Sequence, residues 1–311
     1  LNNMDKPVFY RGVICPMITP LNEDLSLDVQ AIQNLIPHIV SGRVHGIFIL
    51  GTTGEASSLS HIQRKELIAL SSEAIKESGC PLLVGIGDTS LAESLNLAAY
   101  AKEKGAQAVV ATAPYYFDLD PEDQYDYFKT LADQTELPLY LYNYPKSTHF
   151  NIRLDVVEKL TLHPNIMGIK DSSGNVDYIQ ALHSIAEKTN FNLLIGPEEL
   201  LLESLNQGIH GGVNGGANLL PQLYSELFQA TQKNDTQKAA KLHTLVLQLS
   251  KGVYALEGGA NSYLKGIKAA AAALGLCKNK LAVPLKAIEG ELLNQIEVNI
   301  KTLVAEFNRL K

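Results

Sequence analysis

The chain is 311 residues long, 46% apolar and 19% charged, with a net charge of -7. That composition suits a folded protein with a large core and excludes disorder, and an acidic balance without a basic cluster excludes a nucleic-acid backbone or an anionic membrane as partner. The length exceeds a usual single domain but fits one barrel of alternating strands and helices, which commonly holds about 250 residues or more.

In chain order, residues 1–10 carry Asp5, Lys6 and Pro7 where a signal peptide needs an apolar stretch. No run nears the ~18 apolar residues of a membrane span, so neither export nor membrane insertion is expected. Eight short apolar runs then recur, at residues 12–19, 46–50, 81–86, 108–113, 137–142, 166–170, 191–196 and 209–213. Segments of helical spacing lie between most of them. Asp28 is the candidate cap of the first, residues 60–78 closed by Gly79 read as the second, and residues 89–104 closed by Gly105 as the third. Pro121 stands at the first position of another, which Leu137-Pro138 stops.

Strands alternating with helices every 25 to 35 residues or so imply parallel pairing through right-handed crossovers, and eight such units predict an α/β fold closed into a (β/α)8 TIM barrel. A doubly wound sheet is the competitor, but the turn Gly85-Ile86-Gly87-Asp88-Thr89-Ser90 lacks the third glycine of its phosphate-binding fingerprint. Residues 1–220 are expected to form the barrel and carry the site. Residues 221–311 are expected to supply helices packed on it, including 265–274 and the amphipathic stretch 285–310.

Chemistry in such barrels sits where strands end. The sixth run ends on Lys170, followed by Asp171-Ser172-Ser173-Gly174. Strand alternation puts Ile166, Gly168 and Lys170 on one face, Met167 and Ile169 on the other, and Asp171 away from the amine. A lysine buried there loses hydration and acidifies, and a neutral amine attacks a carbonyl to form a Schiff base. The plain alternative is a strand-end lysine reaching water along its stem.

The second run ends in Gly51-Thr52-Thr53-Gly54-Glu55. Its hydroxyls and backbone N–H groups suit a carboxylate, or simply a tight turn, with Glu55 bracing the loop. The fifth run ends in Tyr142-Asn143-Tyr144-Pro145, so Tyr142 and Lys170 end successive strands and can share one pocket, where a phenol can relay protons. The bland reading of Tyr142 is aromatic packing. Glu198 and Glu199, at the seventh strand end, either meet substrate hydroxyls or favour the next helix N-terminus. The glycines from 211 to 216 permit close approach of a ligand or ease barrel closure.

The eight histidines show no HxH or HExxH spacing, and no GxSxG elbow is present, so metal and triad readings fail; His149 alone is placed to face a substrate. Cys15, Cys80 and Cys277 are odd in number and scattered, which argues against disulfides and a thiolate metal site and points to a reducing cytoplasm.

Together the residues from Gly12 through Cys15-Pro16 to Thr19-Pro20, GTTGE at 51–55, Pro-Tyr-Tyr at 114–116, YNYP at 142–145 and GIKDSSGN at 168–175 resemble the dihydrodipicolinate synthase and N-acetylneuraminate lyase family. The resemblance runs through nearly the whole chain. It implies the eight-stranded barrel with a C-terminal helical extension, a homotetramer built as a dimer of dimers, and pyruvate or a 2-keto acid bound as an imine. It makes Lys170 the Schiff-base lysine and Tyr142 the proton-transfer residue. Thr52 and Thr53 then hold the keto-acid carboxylate, with Thr52 also in the proton relay. Tyr116 matches a tyrosine that reaches a neighbouring subunit's site, and the carbonyl of Val213 faces the pocket. No metal or organic cofactor is implied beyond the covalent imine at Lys170.

One departure bears on the substrate. Lysine-pathway synthases carry an arginine two positions after the YNxP proline, and here that position is Ser147, which cannot make a bidentate pair with a carboxylate. The expectation is therefore a class I aldolase that reversibly cleaves a 2-keto-3-deoxy sugar acid to pyruvate and an aldehyde, as N-acetylneuraminate lyase does. The alternatives are a 4-hydroxy-tetrahydrodipicolinate (dihydrodipicolinate) synthase, a keto-deoxy sugar acid dehydratase, and a keto-acid sensor without turnover.

Overall fold

A computed structural model describes residues 10–310; the expectation about a leader segment concerns residues that lie, but for Tyr10, outside these. Eight parallel strands close a barrel in sequence order: β1 (Gly12–Pro16), β2 (Gly46–Ile49), β3 (Leu82–Gly85), β4 (Ala108–Thr112), β5 (Leu139–Asn143), β6 (Ile166–Asp171), β7 (Asn192–Ile195) and β8 (Gly211–Val213). Every expected apolar run holds one strand. Around them lie α1 (Val29–Ser41), α2 (His61–Ile75), α3 (Leu91–Glu103), α4 (Pro121–Gln134), the short α5 (Pro145–Thr148), α6 (Leu154–Leu160), α7 (Val176–Lys188), α8 (Leu201–Asn206) and α9 (Pro221–Gln232).

Local chemistry starts these helices where the sequence says. The Asp28 carboxylate accepts from Ala31 N at 3.1 Å, Ser60 and Gln63 form a reciprocal capping box on α2, and Asp120 caps α4 ahead of Pro121. Gly105 follows the cap of α3 with φ +88°, as helix-ending glycines do, whereas α2 ends at Ile75, short of the expected residue 78, and Gly79, φ +68°, closes the turn after it.

Alternation along the strands builds two cores. Ile47, Ile49, Val84, Val109, Leu139 and Ile169 face outward and pack under the helices. Ile14, Phe48, Leu83, Val110, Tyr140, Leu194 and Val213 fill the barrel interior. Closure depends on glycine: a Cβ on Gly211 would lie 2.0 Å from the carbonyl oxygen of Gly12 on β1.

The sixth strand departs from strict alternation. The β5–β6 register slips between Leu139, opposite Ile166, and Tyr140, opposite Gly168. Ile166 consequently joins Ile169 in the outer core and Met167 turns to the inner one, the reverse of the expected placement for these two residues. Gly168 and Lys170 stay inward. The room left by Gly168 is taken by the Tyr140 ring and by Asn192, 2.8 and 2.3 Å from where a Cβ would stand.

The remaining chain forms α10 (Thr236–Leu249), a π-helical turn at Ser250–Tyr254, α11 (Ser262–Ala273) and α12 (Gly290–Leu310), which pack on one another. α12 starts five residues later than the amphipathic pattern suggests. Gly290 takes φ +63°, and the carbonyl of the buried Ile288 accepts from Asn279, so residues 285–289 lead into the helix without regular structure. No helix among the described residues is long and apolar enough to cross a membrane.

Candidate active site

Lys170 projects from β6 into the barrel interior and is only 6% exposed. Its Nζ lies 4.1 Å from the ring centroid of Tyr142 and 5.3 Å from that of Phe48. Among the described residues no carboxylate pairs with it. Burial lowers its pKa from 10.5 to about 7, and neighbouring Asp171 opposes this only partly. Asp171 points outward, where its carboxylate accepts from Asn143 Nδ2 at 2.7 Å and Ser173 Oγ at 2.8 Å.

Tyr142, opposite Lys170 in the ladder, is equally buried, and its Oη lies 3.1 Å from Thr52 Oγ1. Burial raises the phenol's pKa, while hydrogen bonds with Thr52 and Ser172 lower it. The phenol thus keeps its proton at neutral pH and can exchange it along Thr52. Tyr144 stacks on it, rings 5.8 Å apart at 14°. Thr53, the next residue of the loop, is buried with its hydroxyl 3.1 Å from Tyr263 Oη of α11.

A cleft of about 300 Å³ opens above this group, lined by Phe48, Thr52, Tyr142 and Tyr144 among others. Lys170 borders a separate void of about 10 Å³ that shares Phe48 and Val110 with the cleft. Val213, from the end of β8, lines that same void. The remaining wall of the cleft is rich in hydroxyls, with Ser57, Thr112, Ser147 and Thr148, and no Lys, Arg, Asp or Glu lines it.

Tyr116, His149 and Glu198 do not line the cleft of this chain, and for Tyr116 that is the expected position of a residue reaching a neighbouring subunit. Tyr116 is 79% exposed, ring against ring with Phe117 at 5.1 Å, and it does not meet Tyr142 within this chain. His149 is exposed at the end of α5 in a left-handed conformation and does not line the cleft. The Glu198 carboxylate is buried behind the site: it accepts from Gly216 N at 2.9 Å and from Tyr224 Oη, with Tyr254 Oη at 3.3 Å. It meets no cleft residue, and burial raises its pKa to about 7. Glu199 accepts from Ser250 Oγ.

Glu55 braces its loop as expected, through a partner the sequence did not suggest. Lys268 Nζ of α11 lies 2.9 Å from Glu55 Oε1, both side chains being almost fully buried, and also donates to the carbonyls of Thr19 and Lys280. The other carboxylate oxygen accepts from Ala282 N at 2.7 Å. Lys268 and Tyr263 were invisible as site neighbours, because only the docking of α11 brings them to the loop after β2.

The model of the dihydrodipicolinate synthetase family matches residues 9–303. The chain belongs to this family. An uncharacterized DapA-like lyase of Pyrococcus horikoshii is 34% identical to it, the match covering 94% of this chain and 99% of the relative. Among solved structures, dihydrodipicolinate synthase from Bacteroides thetaiotaomicron is 39% identical with a TM-score of 0.90, covering 96% of this chain and all of the other. YagE, a prophage protein of E. coli K12 solved in complex with pyruvate, is 26% identical with a TM-score of 0.89 over 96% of this chain and 99% of its own. As a dihydrodipicolinate synthetase family member the chain is a lyase, and the family works through a lysine-bound imine with pyruvate, without metal or organic cofactor. Among the described residues no three His, Cys, Asp or Glu side chains stand together as a metal-holding group.

Proposed function

We propose that this family member is an aldolase that reversibly splits a hydroxylated 2-keto-3-deoxy acid into pyruvate and a neutral hydroxy-aldehyde, as N-acetylneuraminate lyase does. The observation that carries the reading is the wall of the cleft above Lys170, which offers many hydroxyls and no charged side chain. Aspartate semialdehyde brings a carboxylate and an ammonium into the site, and an uncharged wall compensates neither. A polyol chain finds there the donors and acceptors it exchanges with water.

In this reading the neutral Lys170 amine attacks the C2 carbonyl, and loss of water leaves a protonated imine that draws electrons. Thr53 and the loop N–H groups hold the carboxylate, with the Val213 carbonyl turned to the pocket. Tyr142 takes the proton of the C4 hydroxyl as its own passes to Thr52 and that of Thr52 to water in the open cleft, the C3–C4 bond breaks, and the electron pair enters the imine to give an enamine. Protonation at C3 and hydrolysis release pyruvate and restore the amine. In this reading Ser147 and Ser57, which line the cleft, take the aldehyde's hydroxyls, and Glu198 is not assigned to substrate.

Condensation of pyruvate with aspartate semialdehyde is the second reading, supported by the name of the Bacteroides relative. A panel separates them: pyruvate release from 2-keto-3-deoxy hexonates, pentonates and nonulosonates, against pyruvate consumption with aspartate semialdehyde and water loss from sugar acids. Turnover confined to aspartate semialdehyde would replace the aldolase with the synthase. The assembly we propose is a cytoplasmic homotetramer in which the exposed Tyr116 reaches a second copy's site. Residues 221–310 complete the barrel with α9 and then supply an extension that braces the catalytic loop through Lys268.

A further inference from the structure

Tyr263 belongs to α11, outside the strand ring, yet its hydroxyl arrives 3.1 Å from Thr53 Oγ1 in the loop after β2. Its approach is built into the surroundings. A Cβ on Gly215 would fall 1.8 Å from Tyr263 Oη, so only glycine leaves the hydroxyl its place. The Tyr254 ring packs edge-on against the Tyr263 ring at 4.9 Å and 73°. Tyr254 Oη in turn lies 3.3 Å from the Glu198 carboxylate that Tyr224 and Gly216 N anchor. The buried carboxylate that takes no part in the cleft thereby supports the aromatic pair behind it.

The direction of the Tyr263–Thr53 bond follows from counting protons. Thr53 Oγ1 is the only hydrogen-bond partner of the Tyr263 hydroxyl among the described residues. If the phenol accepted from Thr53, its own proton would have no acceptor, which is unfavourable for a buried donor. Burial and the nearby Glu198 charge also keep this phenol protonated. Tyr263 therefore donates and Thr53 accepts. A threonine hydroxyl has one proton, which is then left for a ligand.

We infer that Tyr263 is a positioning residue that commits Thr53 to donate to the carboxylate of the bound keto acid, and that the Tyr254–Glu198 cluster holds it there. The inference rests on the proposed imine site at Lys170 and assigns what selects an acid over a neutral ketone in that site.

The test measures borohydride-trapped Lys170 against ketone concentration, with pyruvate and with hydroxyacetone, in the full chain and in Tyr263→Phe. The phenylalanine keeps the ring on Tyr254 and removes only the donor. The half-saturating pyruvate concentration is expected to rise about five- to tenfold, the worth of one hydrogen bond, while the hydroxyacetone curve stays in place. In a Thr53→Val background the same change adds no further loss. Gly215→Ala, which displaces the hydroxyl without deleting it, reproduces the selective loss. Equal losses for both ketones, an unmoved pyruvate curve, or a loss that persists without the Thr53 hydroxyl would overturn the assignment. Failure of the unaltered chain to trap pyruvate would instead remove the imine site beneath it.

Discussion

The aromatic face of Tyr142 stands 4.1 Å from the Lys170 amine, so the amine meets a ring where a carboxylate would have kept it charged. A ring face favours the ammonium by about 0.5–2 kcal/mol. Lost hydration outweighs this and brings the pKa to about 7, leaving a large neutral fraction at physiological pH. In the proposed mechanism this pair supplies both nucleophile and proton carrier, and one ladder rung joins them.

The first consequence is a pH profile. The rate of imine formation with pyruvate is expected to rise as pH climbs through about 7 and to level above it, since the free amine is the nucleophile. Cyanoborohydride trapping from about pH 5 to about pH 9, roughly two units either side of that value, checks this. A rate still climbing steeply at the upper end would mean an ordinary lysine.

The amine that serves the chemistry should cost stability at this position. Lys170 has its folded-state pKa depressed to about 7 from 10.5, so the unfolded chain binds the proton more tightly. Its contribution is best above 10.5, is lost as pH falls towards 7, and is constant below. Lys170→Met is accordingly expected to gain a few kcal/mol at neutral pH, with the gain shrinking as pH approaches 10.5. Urea unfolding of the two chains at pH 7 and pH 10 measures it; equal stability at neutral pH would show that the amine is not strained by burial.

Tyr142→Phe separates binding from turnover. The imine at Lys170 should still form and be trapped, whereas carbon–carbon cleavage should fall about 10²–10⁴-fold, the range for removing a placed proton carrier. Single-turnover kinetics with the best substrate of the panel reads both steps. Undiminished cleavage would move the proton transfer elsewhere.

The buried Lys268–Glu55 pair fixes the loop that carries Thr52 and Thr53 from a helix distant in sequence. Lys268→Met leaves Glu55 as an unpaired buried charge, and a loss of about 3–5 kcal/mol is expected. Adding Glu55→Gln should recover part of it. Denaturant midpoints of the single and double variants test the pairing, and additive effects would deny it.

Tyr116 and Phe117, 79% and 71% exposed, form an aromatic pair on the surface. If a second copy covers them, Tyr116→Ala should shift the assembly to smaller species by light scattering and slow turnover with Lys170 untouched. An unchanged mass would leave the pair unassigned.

The barrel was legible because each strand is a short apolar run and several helix starts carry their own capping chemistry, as Asp28, Ser60 and Asp120 illustrate. Lys170 and Tyr142 could be paired in advance because consecutive strand ends are neighbours in a parallel ring. Ile166 and Met167 were misplaced because a register slip leaves no mark in a uniformly apolar segment. The strand-end position of Glu198 left a cleft role and a helix-start role open, and its direction is decided by Tyr224 and Tyr254, on elements whose docking no local pattern encodes. Tyr263 and Lys268 were hidden for the same reason.

The most direct test is the site of covalent capture. With saturating pyruvate and borohydride, peptide mass analysis should find a reduced three-carbon acid on Lys170 and on no other lysine. An unmodified Lys170 under those conditions would contradict the account, because Tyr142, Thr52 and Thr53 would then surround an amine that does no chemistry.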